Sequence, residues 1–64
     1  MTPEEVLEIL EQLRTGTIKE YYVENQFFLD FRKELVKQKD FKHFQGTAER
    51  GGNVRYQYLQ EARS

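Results

Sequence analysis

The absence of cysteine constrains this chain more than any other feature, because the chain has only 64 residues. A domain of that size buries a small core, and secreted domains of similar length usually depend on disulfide bonds. The lack of cysteine also removes thiolate zinc ligands and thiol nucleophiles. We therefore expect one cytoplasmic domain over residues 1–64, with a stability that is modest or assisted by self-association.

Aromatic side chains supply much of the material for that core. Phenylalanine and tyrosine make up 14% of the sequence, and each buried ring removes roughly 150–250 Å² of surface from water. The chain contains no run of about 18 apolar residues, and its first residues are acidic rather than basic. The sequence thus predicts no membrane contact and no secretory signal.

The first helix has signals at both ends. Thr2 is a suitable N-cap, Pro3 suits the first helical position, and Gly16 suits the position after the C-terminus. Apolar residues recur between them at helical spacing, so we predict a helix over residues 3–14. Leu7 lies beside the main apolar stripe and widens it, which fits either a broad core stripe or a face that covers the sheet and also meets a partner helix.

A second helix is predicted over residues 26–38. The apolar residues of this segment lie within one arc of about 100° on a helical wheel, as expected for a helix that covers a sheet. They are Phe27, Phe28, Phe31 and Leu35. Basic and acidic residues occupy the other faces, which we expect to be exposed to solvent.

Three segments have the composition of strands. Residues 17–23 are rich in β-branched and aromatic residues, and residues 41–48 and 54–59 flank a loop with two consecutive glycines. Gly46 within the second segment indicates either a bulge or a close contact with another group. Residues 60–64 are predicted to fray.

These elements follow one another in the order α-β-α-β-β and predict a small two-layer domain of the α+β class. The expected sheet has three strands, with a β-α-β crossover, a C-terminal hairpin and both helices on one face. The other face would then be open to solvent. Aromatic residues on an open sheet face would be the first place to look for function.

The residue types offer little for catalysis. His43 is the only histidine and the best candidate for proton transfer, although an ordinary strand histidine is the favoured interpretation. Asp30 and Glu34 are four residues apart on the second helix, a spacing typical of a solvated surface. We therefore expect a protein that is not an enzyme, with no catalytic residue, no metal ligand, no cofactor and no small-molecule substrate.

Charge is distributed unevenly along the chain. Residues 1–31 contain two basic and seven acidic residues, a net charge of −5, whereas residues 32–55 contain seven basic and three acidic residues, a net charge of +4. Two copies of the chain, or the chain and a charged partner, would attract one another through such halves. The candidate binding surface combines the cations of the second half with two tyrosines. Its members are Lys37, Lys39, Lys42, His43, Arg50, Arg55, Tyr56 and Tyr58.

Two functions of different classes fit this pattern. The first is a non-enzymatic binding or adaptor domain that associates with a protein partner or with itself as a homodimer, since a marginal core gains from an interface. The alternative is binding of single-stranded nucleic acid, chiefly RNA, by the basic and aromatic face of residues 37–58. A pI of about 5.8 and the absence of an RNA-recognition signature favour the protein partner.

Overall fold

A computed structural model describes residues 1–61 and has the predicted order α-β-α-β-β. The helices are α1 (Pro3–Thr15) and α2 (Phe28–Leu35), and the strands are β1 (Glu20–Val23), β2 (Phe44–Ala48) and β3 (Val54–Tyr58). Short 3₁₀ turns precede three of these elements, at Asn25–Phe27, Phe41–His43 and Arg50–Gly52. Of the predicted frayed tail, residues 62–64 lie outside the described residues.

Helix α1 begins and ends at the predicted caps. The Thr2 hydroxyl accepts a hydrogen bond from the Glu5 amide, and the Glu5 carboxylate accepts one from the Thr2 amide. This reciprocal pair satisfies two amides at the helix start and lowers the pKa of Glu5. Gly16 ends the helix in the left-handed conformation at φ 82°, and its amide donates to the Leu13 carbonyl.

The strand predicted over residues 17–23 begins only at Glu20. The amide of Ile18 donates to the carbonyl of Gln12 in α1, so the residues after the helix complete its last turn. That bond and the glycine cap hold the first part of the segment against the helix end. The composition of residues 17–23 favoured a longer strand, but the cap at the end of α1 keeps the first three of these residues out of the sheet.

The helix predicted over residues 26–38 is shorter in the structure. Its first turn is of the 3₁₀ type, and regular α-helix ends at Leu35. Beyond that point the amides of Lys37 and Gln38 donate to carbonyls three residues earlier, which tightens the chain into turns. The apolar arc nevertheless faces inward as predicted, with Phe31 and Leu35 buried.

The hairpin strands are also shorter than predicted. Residues 41–43 of the segment predicted as strand 41–48 form a 3₁₀ turn, because the His43 amide donates to the Asp40 carbonyl rather than to a strand. Strand β3 ends at Tyr58 instead of residue 59, although the Leu59 amide still donates to the His43 carbonyl. No bulge marks Gly46, which lies directly opposite Tyr56.

The sheet has the strand order β1-β3-β2, with β3 antiparallel to both neighbours. The connection through α2 therefore joins two parallel strands that are not adjacent, and the hairpin returns β3 into the space between them. Each outer strand thereby gains an antiparallel partner. Strands β1 and β2 are the two edges of the sheet.

One hydrophobic core lies between the sheet and the two helices. Helix α1 contributes Val6, Leu10 and Leu13, and α2 contributes Phe31 and Leu35. The sheet contributes one buried residue from each strand, namely Val23, Tyr56 and Phe44. Phe31 lies at the centre, with its ring centroid 4.9 Å from that of Tyr56 and 6.1 Å from that of Tyr21.

Both helices cover the same face of the sheet, as the buried strand residues indicate. The opposite face is polar and solvent-accessible. Among the described strand residues, it has one aromatic side chain, Tyr22, which is 50% exposed. The other side chains on that face are Glu20, Gln45, Thr47, Arg55 and Gln57. Within residues 1–61, neither helix has the length and apolar character needed to cross a membrane.

Candidate functional site

The predicted cationic residues are distributed over separate parts of the fold. Lys37, Lys39 and Lys42 are exposed along the connection between α2 and β2, and Arg50 is exposed in the turn between β2 and β3. Arg55 projects from the open sheet face, where it lies 3.0 Å from Glu49 and 3.9 Å from Glu20. The connection thus groups three lysines, while the two arginines lie elsewhere.

The two tyrosines of the predicted surface belong to the covered side of the sheet. Tyr56 is only 5% exposed and packs against Phe31. Tyr58 is half-buried, and its hydroxyl donates a hydrogen bond of 3.0 Å to Asp40. The pKa of the Tyr58 phenol is raised, mainly by burial and secondly by the hydrogen bond to Asp40. Both rings therefore stabilise the domain, and neither lies beside the open-face cation Arg55.

An ion-pair cluster holds Tyr58 in place. Arg14 of α1 donates from Nε to Asp40 Oδ2 at 2.7 Å and from a terminal nitrogen to Asp40 Oδ1 at 2.9 Å. The same guanidinium donates to Glu11 and lies 5.7 Å from the centroid of the Phe44 ring. The two-point bond from Arg14 lowers the pKa of Asp40 to about 2, and Asp40 in turn raises the pKa of Arg14.

His43 is part of the packing beside this cluster. Its ring stacks on Tyr58 with a centroid distance of 5.2 Å, and its Nδ1 lies 2.8 Å from the Leu59 carbonyl oxygen. Asp30 and Glu34 also have separate partners, since Asp30 lies 3.7 Å from the Met1 amino group and Glu34 lies 3.5 Å from Lys37 Nζ. Over residues 1–61, no three histidine or carboxylate side chains converge to hold a metal ion.

An open groove lies between α2 and β2, and we call it the α2–β2 groove. Its volume is about 350 Å³. One wall is formed by Phe28, Arg32, Leu35 and Val36 of α2 and its end, together with Phe41. The floor and other wall are formed by strand residues that face the core side of the sheet. These are Phe44, Gly46, Ala48, Val54 and Tyr56.

The groove exists because the helices leave the β2 side of the sheet partly uncovered. Helix α1 packs against α2 and contacts β1 and β3. Gly46 and Ala48 have small side chains on the core side of β2 and remain exposed. A Cβ atom at Gly46 would stand 3.0 Å from both Tyr56 Cε1 and Val54 Cγ1. The predicted close contact at Gly46 is confirmed, and it opens the groove.

Two of the exposed apolar side chains line this groove, which the sequence did not reveal; Leu7, Tyr22 and Leu29 are exposed elsewhere. Val36 is 45% exposed and Phe41 is 37% exposed, and both line it. Helical spacing assigned Phe28 and Leu35 to the core, but it did not show that α2 ends beside an uncovered strand. The sequence signal that could have indicated an uncovered strand was the absence of large apolar side chains in β2 after Phe44.

Fold and groove together define a small two-layer α+β domain with a one-sided sheet and an apolar groove along one edge. The family model described as YkzS-like protein matches residues 3–57, which run from the start of α1 into β3. The chain therefore belongs to the YkzS-like protein family. No curated protein and no solved structure matches it. The family description names no reaction or ligand.

Proposed function

We propose that this protein is a non-enzymatic binding domain of the cytoplasm that acts through protein–protein association. The α2–β2 groove is the surface at which the partner binds. The observation that carries the proposal is the placement of half-exposed Val36 and Phe41 along one apolar groove beside an edge strand. Exposed apolar patches with a polar rim are typical of interaction sites.

The chemistry around the groove supports binding rather than catalysis. Among the described residues that line the groove, Arg32 is the one ionisable group apart from the phenol of buried Tyr56. His43 and Asp40, which would be the natural proton-transfer groups, are engaged with Leu59 and Arg14 outside that lining. A general base needs hydrogen-bond reach to a substrate, and these groups are instead satisfied by the protein itself.

Site-specific photo-crosslinking in cells that express the protein tests this proposal. A photoreactive phenylalanine analogue at Val36 places the probe in the groove, and the same analogue at Leu29 is the matched control. Leu29 lies on the same helix, is 76% exposed and does not line the groove. We expect a discrete protein adduct from position 36 and none from position 29. Equal labelling at both positions, or none at position 36, would contradict the proposal.

A second candidate function is binding of single-stranded nucleic acid. The observation that favours it is the run of exposed lysines between α2 and β2, which suits phosphate contacts. The burial of Tyr56 leaves base stacking without that ring, so we place this function second. Salt-dependent binding of a short oligonucleotide that is lost in the variant Lys39→Glu would support it. Lys19→Glu, outside residues 37–58, is the control.

A further inference from the structure

We infer that β2 accepts an additional strand from a partner protein, in the form of an extended segment with an apolar centre and a carboxylate at each end. The added strand would continue the sheet past β2 and place its inward side chains in the α2–β2 groove. This inference rests on the proposed function and specifies the chemistry of the partner.

The backbone of β2 is arranged for strand addition. The Glu49 amide donates to the Asn53 carbonyl, and the Leu59 amide donates to the His43 carbonyl. Because bonded pairs recur at every second residue of an antiparallel ladder, the odd-numbered residues of β2 bond to β3. The amides and carbonyls of Gly46 and Ala48 therefore point away from β3, at the edge of the sheet.

The two edges of the sheet differ in their protection. Edge strands usually carry a charged residue, a proline or a bulge that discourages further pairing. Strand β1 is four residues long and includes Glu20, with Lys19 and Glu24 on either side. Strand β2 (Phe44–Ala48) has five residues and contains neither a charged residue nor a proline, although Glu49 follows it directly. The less protected edge is the one beside the groove.

The groove provides space for the side chains of an added strand. Side chains of even-numbered β2 residues face the core side of the sheet, and Gly46 and Ala48 fill little of that space. Alternate residues of the new strand would lie beside them, against Val36 and Phe41 of the opposite wall. Apolar residues at those positions would bury the exposed parts of both walls. Strand addition combines main-chain bonds with pockets for alternate side chains in this way.

The charges around the edge select carboxylates. Arg32 lines the groove, and Lys42 and Arg50 are exposed in the turns just before and just after β2. Within residues 1–61, no acidic side chain is paired with Arg32 or Arg50. An incoming segment with acidic ends would find a cation near each end of β2, and opposite charges would fix its position.

A second copy of the chain fits this edge less well. Antiparallel pairing of two β2 strands about Gly46 would place Lys42 of one copy opposite Arg50 of the other, which is repulsive. Pairing through β1 of the second copy would be head to tail, which gives a ring or an open filament rather than a two-fold dimer. In addition, Glu20 of β1 is already bonded to Gln57 and lies near Arg55 on the open face.

The test is an NMR titration of the labelled full-length protein with a synthetic heptapeptide. The peptide has glutamate at both ends, threonine at the even positions and valine at the two remaining central positions. We expect shifts at Gly46 and Ala48 and at least tenfold slower hydrogen exchange of their amides. A peptide with lysine at both ends should bind at least tenfold more weakly. An acidic peptide that is N-methylated at the alternate residues whose amides would face β2 should not bind.

Three variants locate the binding site. Arg32→Glu should weaken binding of the acidic peptide at least tenfold and strengthen binding of the lysine peptide. Ala48→Pro should abolish binding, because it removes an outward amide without touching the ladder with β3. Gln45→Ala changes the open face and should leave binding unchanged. Arg32 is exposed, so its variant keeps the test decisive if Ala48→Pro fails to fold.

Several outcomes would overturn the inference. These are equal binding of the acidic and lysine peptides, shifts confined to β1 or to the open face, and no binding of either peptide. A concentration-dependent dimer in sedimentation that the acidic peptide disperses would also overturn it, since a second copy would then be the occupant of the edge. Failure of these peptides while crosslinks still form at Val36 would reject strand addition and leave the proposed function standing.

Discussion

Arg14, in the last turn of α1, donates two hydrogen bonds to Asp40, which follows it by 26 residues in the chain. The pair joins the C-terminal end of the first helix to the connection that leads into β2. Asp40 also accepts the hydroxyl bond from Tyr58 at the end of β3. One carboxylate therefore links three segments that are remote in sequence.

We expect Asp40→Asn to lower the free energy of unfolding by about 1–3 kcal/mol, because the charge-assisted hydrogen bonds between Arg14 and the partly buried Asp40 carboxylate are lost. Urea denaturation followed by circular dichroism measures the change. The control is Glu11→Gln, which removes the exposed partner of the same guanidinium and should cost less than about 1 kcal/mol. Equal effects of the two variants would show that the link to Asp40 contributes nothing special.

The same carboxylate makes stability depend on acid pH. The folded-state pKa of Asp40 is about 2, below its ordinary value of 3.8, chiefly because Arg14 donates to it. The stabilisation is therefore complete above about pH 5 and is lost as the pH falls through about 2, at most about 2 kcal/mol in all. Denaturation midpoints between pH 5 and pH 2 should fall more steeply for the unaltered protein than for Asp40→Asn. Parallel curves would contradict this prediction.

Phe31→Ala should destabilise the domain by roughly 3–5 kcal/mol, because it leaves a cavity between the rings of Tyr21 and Tyr56. In so small a domain, that loss is a large part of the total stability. Leu29→Ala on the same helix is the control, since its side chain is mostly exposed. Thermal unfolding should show a large decrease for the first variant and a change of only about 0.5 kcal/mol for the second. Similar decreases for the two variants would contradict the assignment of Phe31 to the buried face of α2 and of Leu29 to its exposed face.

Asn53→Ala should lower the free energy of unfolding by about 1–2 kcal/mol through loss of two side-chain hydrogen bonds. Asn53 Nδ2 donates to the Arg50 carbonyl, and its Oδ1 accepts from the Asn25 amide, each at 2.7 Å. The side chain thus joins the hairpin turn to the end of β1. Asn25→Ala keeps the amide donor and should change stability by less than about 0.5 kcal/mol. Chemical denaturation of both variants checks the difference, and equal losses would refute it.

Local sequence signals predicted the elements, and contacts between distant residues changed their limits. Thr2 and Gly16 predicted α1 correctly because capping depends on neighbouring residues. The strand over residues 17–23 was predicted too long because the bond from Ile18 to Gln12 could not be seen in its composition. Of the candidate site, the exposed lysines keep the character expected of a surface, whereas Tyr56 belongs to the core.

The sequence by itself determined the order of elements and which residues share a face, since helical and strand periodicities are local properties. Only the tertiary structure decided that β3 lies between β1 and β2, that Tyr56 and Tyr58 lie on the covered face, and that β2 remains open beside α2. Alternation assigns side chains to two faces but does not say which face the helices cover. That choice follows from the packing of Phe31, Phe44 and Tyr56 into one core, and the groove lies at the edge of this core, with Phe44 and Tyr56 in its lining.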